Sequence, residues 1–274
     1  MHLLHSIPFK HSRQGEIVHF ENEKMIRIGL IGYGKAGRAV AQVMHQDPQY
    51  ELCWIATRTG QPAAIELGDS RLPVIALSEA TLGDWLDQHP VDALIDFSDA
   101  SSVQAYAPQV RQRGLALVTA VSAYDDAQLD CLRALGASAR VLCSPNITVG
   151  INFLIMAARL LREIAPFADI EILEQHFRDK PEVSGTAKKI AESLLVSDDK
   201  ITSMRLGGIV GHHEIIFGFP NQTVRLIHDS IKREAFGTGA AFALGELMQC
   251  EPGYYAFEDL LMKRMRAQLL ALPG

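Results

Sequence analysis

From residue 25 onward, short apolar runs alternate with stretches of helical period. Residues 25–31 (MIRIGLI) form a β-rich apolar run, and residues 38–45 follow with helical character. A second apolar run covers 51–56 (ELCWIA), then a strand candidate at 74–77 and a helix candidate at 81–88. Residues 93–95 carry a buried-strand signal that ends in Asp96-Phe97-Ser98. Helical period over 101–112, a strand at 115–120, a helix at 127–135 and a strand at 140–143 continue the alternation. This order predicts parallel βαβ units in a doubly wound α/β sheet.

The pattern changes after Pro145. A long apolar helix is predicted over 149–164, a strand over 170–174 and a helix over 186–195, opened by Ser184-Gly185. Three β-rich runs follow with short links, at 203–209, 213–217 and 223–228, and a Pro220-Asn221 turn separates the last two. Consecutive strands of this kind predict a largely antiparallel or mixed sheet. Residues 239–248 read as the final helix. The expectation is therefore an α/β half followed by a smaller α+β half, with the boundary between 143 and 150.

A length of 274 residues allows one large domain or two small ones. A net charge of -6 with 21% charged residues argues against a general nucleic-acid binder. Cys53, Cys131, Cys143 and Cys250 lie far apart with no Cys-x-x-Cys pair, so neither a zinc site nor a disulfide framework is expected. No stretch reaches the roughly 20 apolar residues of a membrane span. Residues 1–24 lack the apolar core of a signal peptide and carry His2, His5, His11 and His19. They are expected to be a disordered extension, not a metal-binding tail, on a cytoplasmic, membrane-free enzyme.

Gly32-Tyr33-Gly34-Lys35-Ala36-Gly37 has the Gly-x-Gly-x-x-Gly spacing. It lies between a strand and a helix at the start of a βαβ unit, the context in which that spacing cradles a dinucleotide pyrophosphate. Gly32, Gly34, Lys35, Ala36 and Gly37 are the expected cofactor loop. The second strand ends at Ala56-Thr57-Arg58, where an acidic residue would hold the ribose hydroxyls of NAD. Arg58 at this place favours NADPH through a charge-assisted contact to a 2′-phosphate, with NADH as the alternative.

Residues 171–190 read EILEQHFRDKPEVSGTAKKI. With IGYGKAGR, IDFSDA, SPNITVG, GGIVGHHEIIF and AFGTGA, they resemble the 4-hydroxy-tetrahydrodipicolinate (dihydrodipicolinate) reductases of diaminopimelate and lysine biosynthesis. The resemblance runs from residue 25 to 259. It implies a Rossmann-like domain (25–145, completed by 236–274) and an α+β domain (146–235) that binds substrate and assembles a homotetramer. It further implies that His176 is the proton donor, that Lys180 is the catalytic lysine, and that Ser184, Gly185 and Thr186 grip a carboxylate of a cyclic imine dicarboxylate. Asp96, Phe97 and Ser98 would lie beside the nicotinamide ribose. Thr119 would belong to the cofactor loop, and Ser144 and Asn146 to the hinge near the nicotinamide.

His suits the proton-donor role because its ordinary pKa of about 6.5 lies near working pH. The Ser184 turn suits an anion because it opens a helix. His212-His213 reads as part of a strand turn, not a metal pair, since adjacent strand residues point to opposite faces. The sequence departs from the family pattern in four places. Phe177 replaces a second His, and the segment 181–183 is one residue shorter. Thr119-Ala120-Val121-Ser122 replaces Gly-Thr-Thr-Gly, and the connection from Val196 to Ile201 is short. These departures leave two alternatives: a reductase of another small cyclic imine acid, or a non-catalytic nucleotide-binding paralogue.

Overall fold

The computed structural model describes residues 25–271; the histidine-bearing stretch 1–24 lies outside the described residues. The first half builds β1 (Ile26–Ile31), α1 (Lys35–Gln46), β2 (Tyr50–Thr57), β3 (Ala64–Leu67), β4 (Ser70–Ala76), α2 (Glu79–Gln88) and β5 (Ala93–Asp96). It continues with α3 (Val103–Arg113), β6 (Ala116–Thr119), α4 (Asp126–Leu135) and β7 (Arg140–Cys143). Strands β5 and β6 are buried at every position, the signature of a sheet covered on both faces. Helix ends are fixed locally. Ser78 caps α2, Asp125 and Gln128 form a reciprocal capping box at α4, and Gly114 takes the left-handed conformation that stops α3.

The second half builds α5 (Val149–Ile164), β8 (Asp169–His176), α6 (Gly185–Ser193), β9 (Ile201–Arg205), β10 (Gly211–Phe219) and β11 (Gln222–Ser230). The chain then adds α7 (Glu234–Leu247), β12 (Gly253–Tyr255) and α8 (Phe257–Leu270).

The large sheet has the order β12-β7-β6-β5-β1-β2-β4-β3. All its pairs are parallel except β3 with β4. Chain order reverses at β1, between β2 and β5, so a crevice opens beyond the carboxyl ends of β1 and β5. The small sheet has the order β11-β10-β8-β9: β10 is antiparallel to β8 and β11, while β8 and β9 are parallel across α6. This is the mixed, strand-rich sheet that the sequence predicts.

Several elements differ from the expectation, among them the strand expected at 203–209, which is β9 at Ile201–Arg205. The strand expected at 74–77 is the second arm of a hairpin, β3–β4, turned at Gly68 in a left-handed conformation. The helix expected over 239–248 begins five residues earlier, at Glu234, and is followed by β12 and α8. Polarity hides α8, because only Phe257, Leu260 and Leu261 on it are buried.

Both late helices return to the first half. Ala240, Leu244 and Leu247 of α7 and Phe257, Leu260 and Leu261 of α8 share one core with Ile28, Leu30, Val40 and Met44. Glycines let α7 come close. A Cβ on Gly237 would collide with Val43, and one on Gly239 with the Ile147 carbonyl. Neither backbone can retreat without opening the core. Gly239→Ala is therefore expected to cost about 1–3 kcal/mol through overpacking, read as a lower denaturant midpoint with an unchanged m-value.

Candidate active site

The crevice at the sheet reversal is built from glycine. Gly32 follows β1 with φ +89, and a Cβ there would stand 2.7 Å from the Phe97 and Ser98 backbone at the end of β5. Gly37 packs α1 onto the turn so closely that a Cβ would strike the Gly32 carbonyl. Around Gly34, by contrast, a Cβ would meet nothing within 4 Å, and Gly34 supplies no side-chain cap to α1. The first-turn N–H groups of α1 thus face open space over a bare backbone, which fits a pyrophosphate. Lys35 is exposed beside them and Ala36 half-buried. A cavity of about 460 Å³ is lined there by Gly32, Gly34, Arg58, Phe97 and Ser98. Arg58 reaches across its mouth to Asp99, with N–O 3.0 Å.

Two residues expected at the cofactor have their side chains turned inward. Asp96 and Thr119 are both fully buried. Thr119 Oγ1 lies 2.7 Å from the Tyr124 hydroxyl, which donates to Asp96 Oδ2 at 3.3 Å, while Asp96 Oδ1 accepts from the Ser98 N–H at 2.9 Å. Burial pushes the Asp96 carboxyl up, against these hydrogen bonds. Their contribution is to brace the floor of the crevice; Phe97 and Ser98 form its wall. Ser144 is likewise buried, its hydroxyl donating to the Asn146 carbonyl at 2.7 Å. It shapes the 144–146 turn and is not among the residues lining the cleft.

The second cavity, about 910 Å³, lies against the small sheet, and strand register explains it. On β8, alternate positions Ile170, Ile172, Glu174 and His176 all face inward. The inward face is apolar at one end, where Ile172 pairs with Ile215 and Ile201 under α5 and α6. Two residues along, the face turns polar. Glu174 stands opposite His213 on one side and Ser203 on the other, and His213 opposite His228. One row across four strands therefore reads His228, His213, Glu174, Ser203. The next positions bring His176 opposite Arg205 and Gly211 opposite Ser230.

Glu174 has no exposed surface, yet it is an anion. Arg205 binds both of its oxygens at 3.0 Å, Ser203 Oγ donates at 2.7 Å and the Ser184 N–H at 3.2 Å. Burial opposes ionisation, but Arg205, Ser203, His176 and the Ser184 N–H outweigh it and hold the carboxyl down at about 2. His176 Nδ1 lies 2.5 Å from Glu174 Oε2. The His213 ring meets His176 edge-on at 5.3 Å and bonds Ser184 Oγ at 2.8 Å. Burial, then the neighbouring His176 and His228, pushes His213 down to about 3, so its ring is neutral. Burial also lowers His228.

The structure brings together His176, Lys180, Ser184, Gly185, Thr186 and Asn146 on this cleft. Ser184 Oγ caps the Ala187 N–H of α6, Asn146 Nδ2 reaches Thr186 Oγ1 at 3.4 Å, and the space beside Gly185 is open. Phe177 is 44% exposed and does not line the cleft. Sequence reasoning missed Glu174, Ser203 and Arg205 and set His213 and His228 aside. The signal was the period of β8, which puts a Glu on the same face as His176, but the pairing that completes the row needs the register.

The chain belongs to the dihydrodipicolinate reductase family. The family model for its N-terminus matches residues 26–147, and the model for its C-terminus matches 146–261. The 4-hydroxy-tetrahydrodipicolinate reductase of Caldanaerobacter subterraneus subsp. tengcongensis is 28% identical over 263 residues, covering 87% of this chain and 99% of that protein. The enzyme of the same name from Methylococcus capsulatus is 27% identical over 267 residues, covering 86% and 98%. A dipicolinate-bound dihydrodipicolinate reductase from Paenisporosarcina sp. TG-14 shares the fold, with a TM-score of 0.74, 23% identity and coverage of 85% of this chain and 98% of that one.

The neutral His213 sets a pH dependence. Unfolded, the ring takes a proton near its ordinary 6.5; folded, it refuses one until about 3. Between those values the unfolded chain binds more protons, so stability is complete above pH 6.5 and is lost as pH falls. Glu174 adds its own loss only below its ordinary 4.5. Denaturant midpoints are expected to fall from pH 6.5 to 4.5, and less steeply in His213→Asn. An equal slope in the variant would contradict a neutral His213.

Proposed function

We propose that this chain reduces 4-hydroxy-tetrahydrodipicolinate to tetrahydrodipicolinate with a nicotinamide dinucleotide, a step of diaminopimelate and lysine biosynthesis. The carrying observation is one cleft shared by His176, Lys180, the helix-opening turn at Ser184, Gly185 and Thr186, and the hinge residue Asn146. Residues 25–145 with 236–274 would hold the cofactor, and 146–235 the substrate.

Gly32, Gly34, Lys35, Ala36 and Gly37 would hold the pyrophosphate, with Phe97 and Ser98 toward the nicotinamide. When bound, the cofactor supplies a hydride to the substrate ring. The ring also needs one proton, and His176 is the group in the cleft suited to carry it at Nε2. Lys180 supplies a positive charge for a substrate carboxylate. The first-turn N–H groups of α6 offer a second anion contact, and the absence of a side chain on Gly185 lets a carboxylate approach them.

Arg58, with no acidic residue at 57–59, supports NADPH over NADH. The outer face of the small sheet, where Met204 and Ile227 are 38% and 55% exposed, supports assembly of a homotetramer through that face.

The test is a coupled assay in which the substrate is made in place from pyruvate and aspartate semialdehyde by its synthase. Consumption of NADPH is expected to exceed that of NADH. His176→Ala should lose about 10²–10⁴-fold in kcat, the usual worth of a placed proton donor, with cofactor affinity unchanged. Arg58→Ala should raise KM for NADPH on the order of tenfold and leave NADH nearly untouched, as loss of a charge-assisted contact requires. No consumption of either cofactor by folded, cofactor-binding protein would overturn the reading.

A further inference from the structure

We infer that Glu174 is the positioning residue for His176: clamped by Arg205, it keeps hydrogen on Nδ1 in both charge states of the ring, so that the proton His176 gains and gives away is the one at Nε2, turned toward the cleft. The neutral ring left behind is the Nδ1–H tautomer. The inference rests on His176 being the proton donor, and deepens that reading.

The geometry leaves the tautomer no choice. Glu174 Oε2 already accepts from Arg205 at 3.0 Å, and Oε1 from Arg205, Ser203 and the Ser184 N–H. A carboxylate held by that many donors offers only lone pairs to the next group, so the His176 Nδ1 at 2.5 Å must carry hydrogen. Nε2 then stands at the opposite edge of the ring, on the side of Gly211. A Cβ on Gly211 would come within 3.2 Å of that nitrogen, so glycine keeps the edge open.

The other ionisable groups do not compete for Nδ1. His213, from β10, presents its ring edge-on and bonds Ser184. His228, from β11, is paired in register with His213 rather than with His176. Arg205, from β9, is directed onto Glu174 and onto the carbonyls of Lys180 and Glu182, at 3.0 and 2.7 Å. It therefore holds the loop that carries Lys180 as well as the carboxylate that holds His176.

The test compares the full chain with Glu174→Gln, which keeps the shape and removes the charge. Long-range ¹H–¹⁵N spectra of the histidine rings, recorded at alkaline pH and assigned with His176→Asn, read the tautomer without substrate. The wild type is expected to show Nδ1–H at His176, and Glu174→Gln a mixture rich in Nε2–H. In the reductase assay, Glu174→Gln should lose on the order of 10–100-fold in kcat, as loss of an orienting partner does elsewhere, with KM nearly unchanged. Glu174→Asp should recover part of that loss.

Retention of both Nδ1–H and kcat in folded Glu174→Gln would overturn the inference. If His176→Asn keeps full activity, the proton-donor reading fails, while the spectra still decide whether Glu174 sets the tautomer. If Glu174→Gln does not fold, the wild-type spectrum decides alone: Nδ1–H at neutral His176 supports the inference, and Nε2–H overturns it.

Discussion

A carboxylate cut off from water is stable as an anion only when its oxygens are fully satisfied, and the small sheet of this protein is organised around one such group. Glu174 is bound from β9 by Ser203 and Arg205, from the start of α6 by the Ser184 N–H, and along its own strand by His176. Removing one partner of a buried pair leaves an uncompensated charge, typically a loss of 3–5 kcal/mol, whereas exchanging the whole cluster for apolar residues is often neutral. Stability alone therefore does not account for the cluster. What an apolar replacement could not reproduce is geometry: Arg205 fixes the loop between β8 and α6 through two carbonyls, and that loop carries Lys180.

The cluster would serve no purpose far from the cofactor crevice, and the fold closes that distance by returning. The chain leaves the large sheet after β7, builds the small one, and comes back through α7 onto α1. Two close approaches anchor the return, Gly237 on Val43 and Gly239 on the Ile147 carbonyl. The second lies one residue beyond Asn146, which bonds Thr186 across the cleft. The segment that receives α7 is thus the segment that meets the turn opening α6, so backbone packing and the geometry of the cleft are set at one place.

The large sheet was legible because a covered parallel sheet writes itself as apolar runs separated by helical periods, and the glycine spacing located its crevice. α5 was legible for the same reason, its apolar positions following one face. β3 and α8 were not, because an edge strand and a surface helix bury too little to leave a pattern, whereas the buried part of β4 was expected as a strand. At the site, His176, Lys180 and the Ser184 turn sit close in sequence and could be read together. Arg205, His213 and His228 lie 31, 39 and 54 positions beyond Glu174 and are brought to it by strand register, which no local period records. Asp96 and Thr119, which the family resemblance sets at the cofactor, have their side chains turned inward and held by the hydroxyls of Ser98 and Tyr124, a placement that no local pattern records.

The same strand logic bears on the substrate. Phe177 raised the prospect of a different imine acid because it stands where a second histidine is usual. Inward positions on β8 are 170, 172, 174 and 176, so the next residue is directed to the other side, and Phe177 is in fact exposed outside the cleft. Phe177 therefore stands on the surface beside the cleft and not among its lining residues. A second imidazole does stand beside His176, but it is His213, supplied from β10 and held neutral. The cleft therefore keeps a cation at Lys180, a helix start at Ser184 and two neighbouring imidazoles. That set of groups complements a dicarboxylate better than a monocarboxylate, since both the ammonium and the helix N-terminus call for an anionic partner.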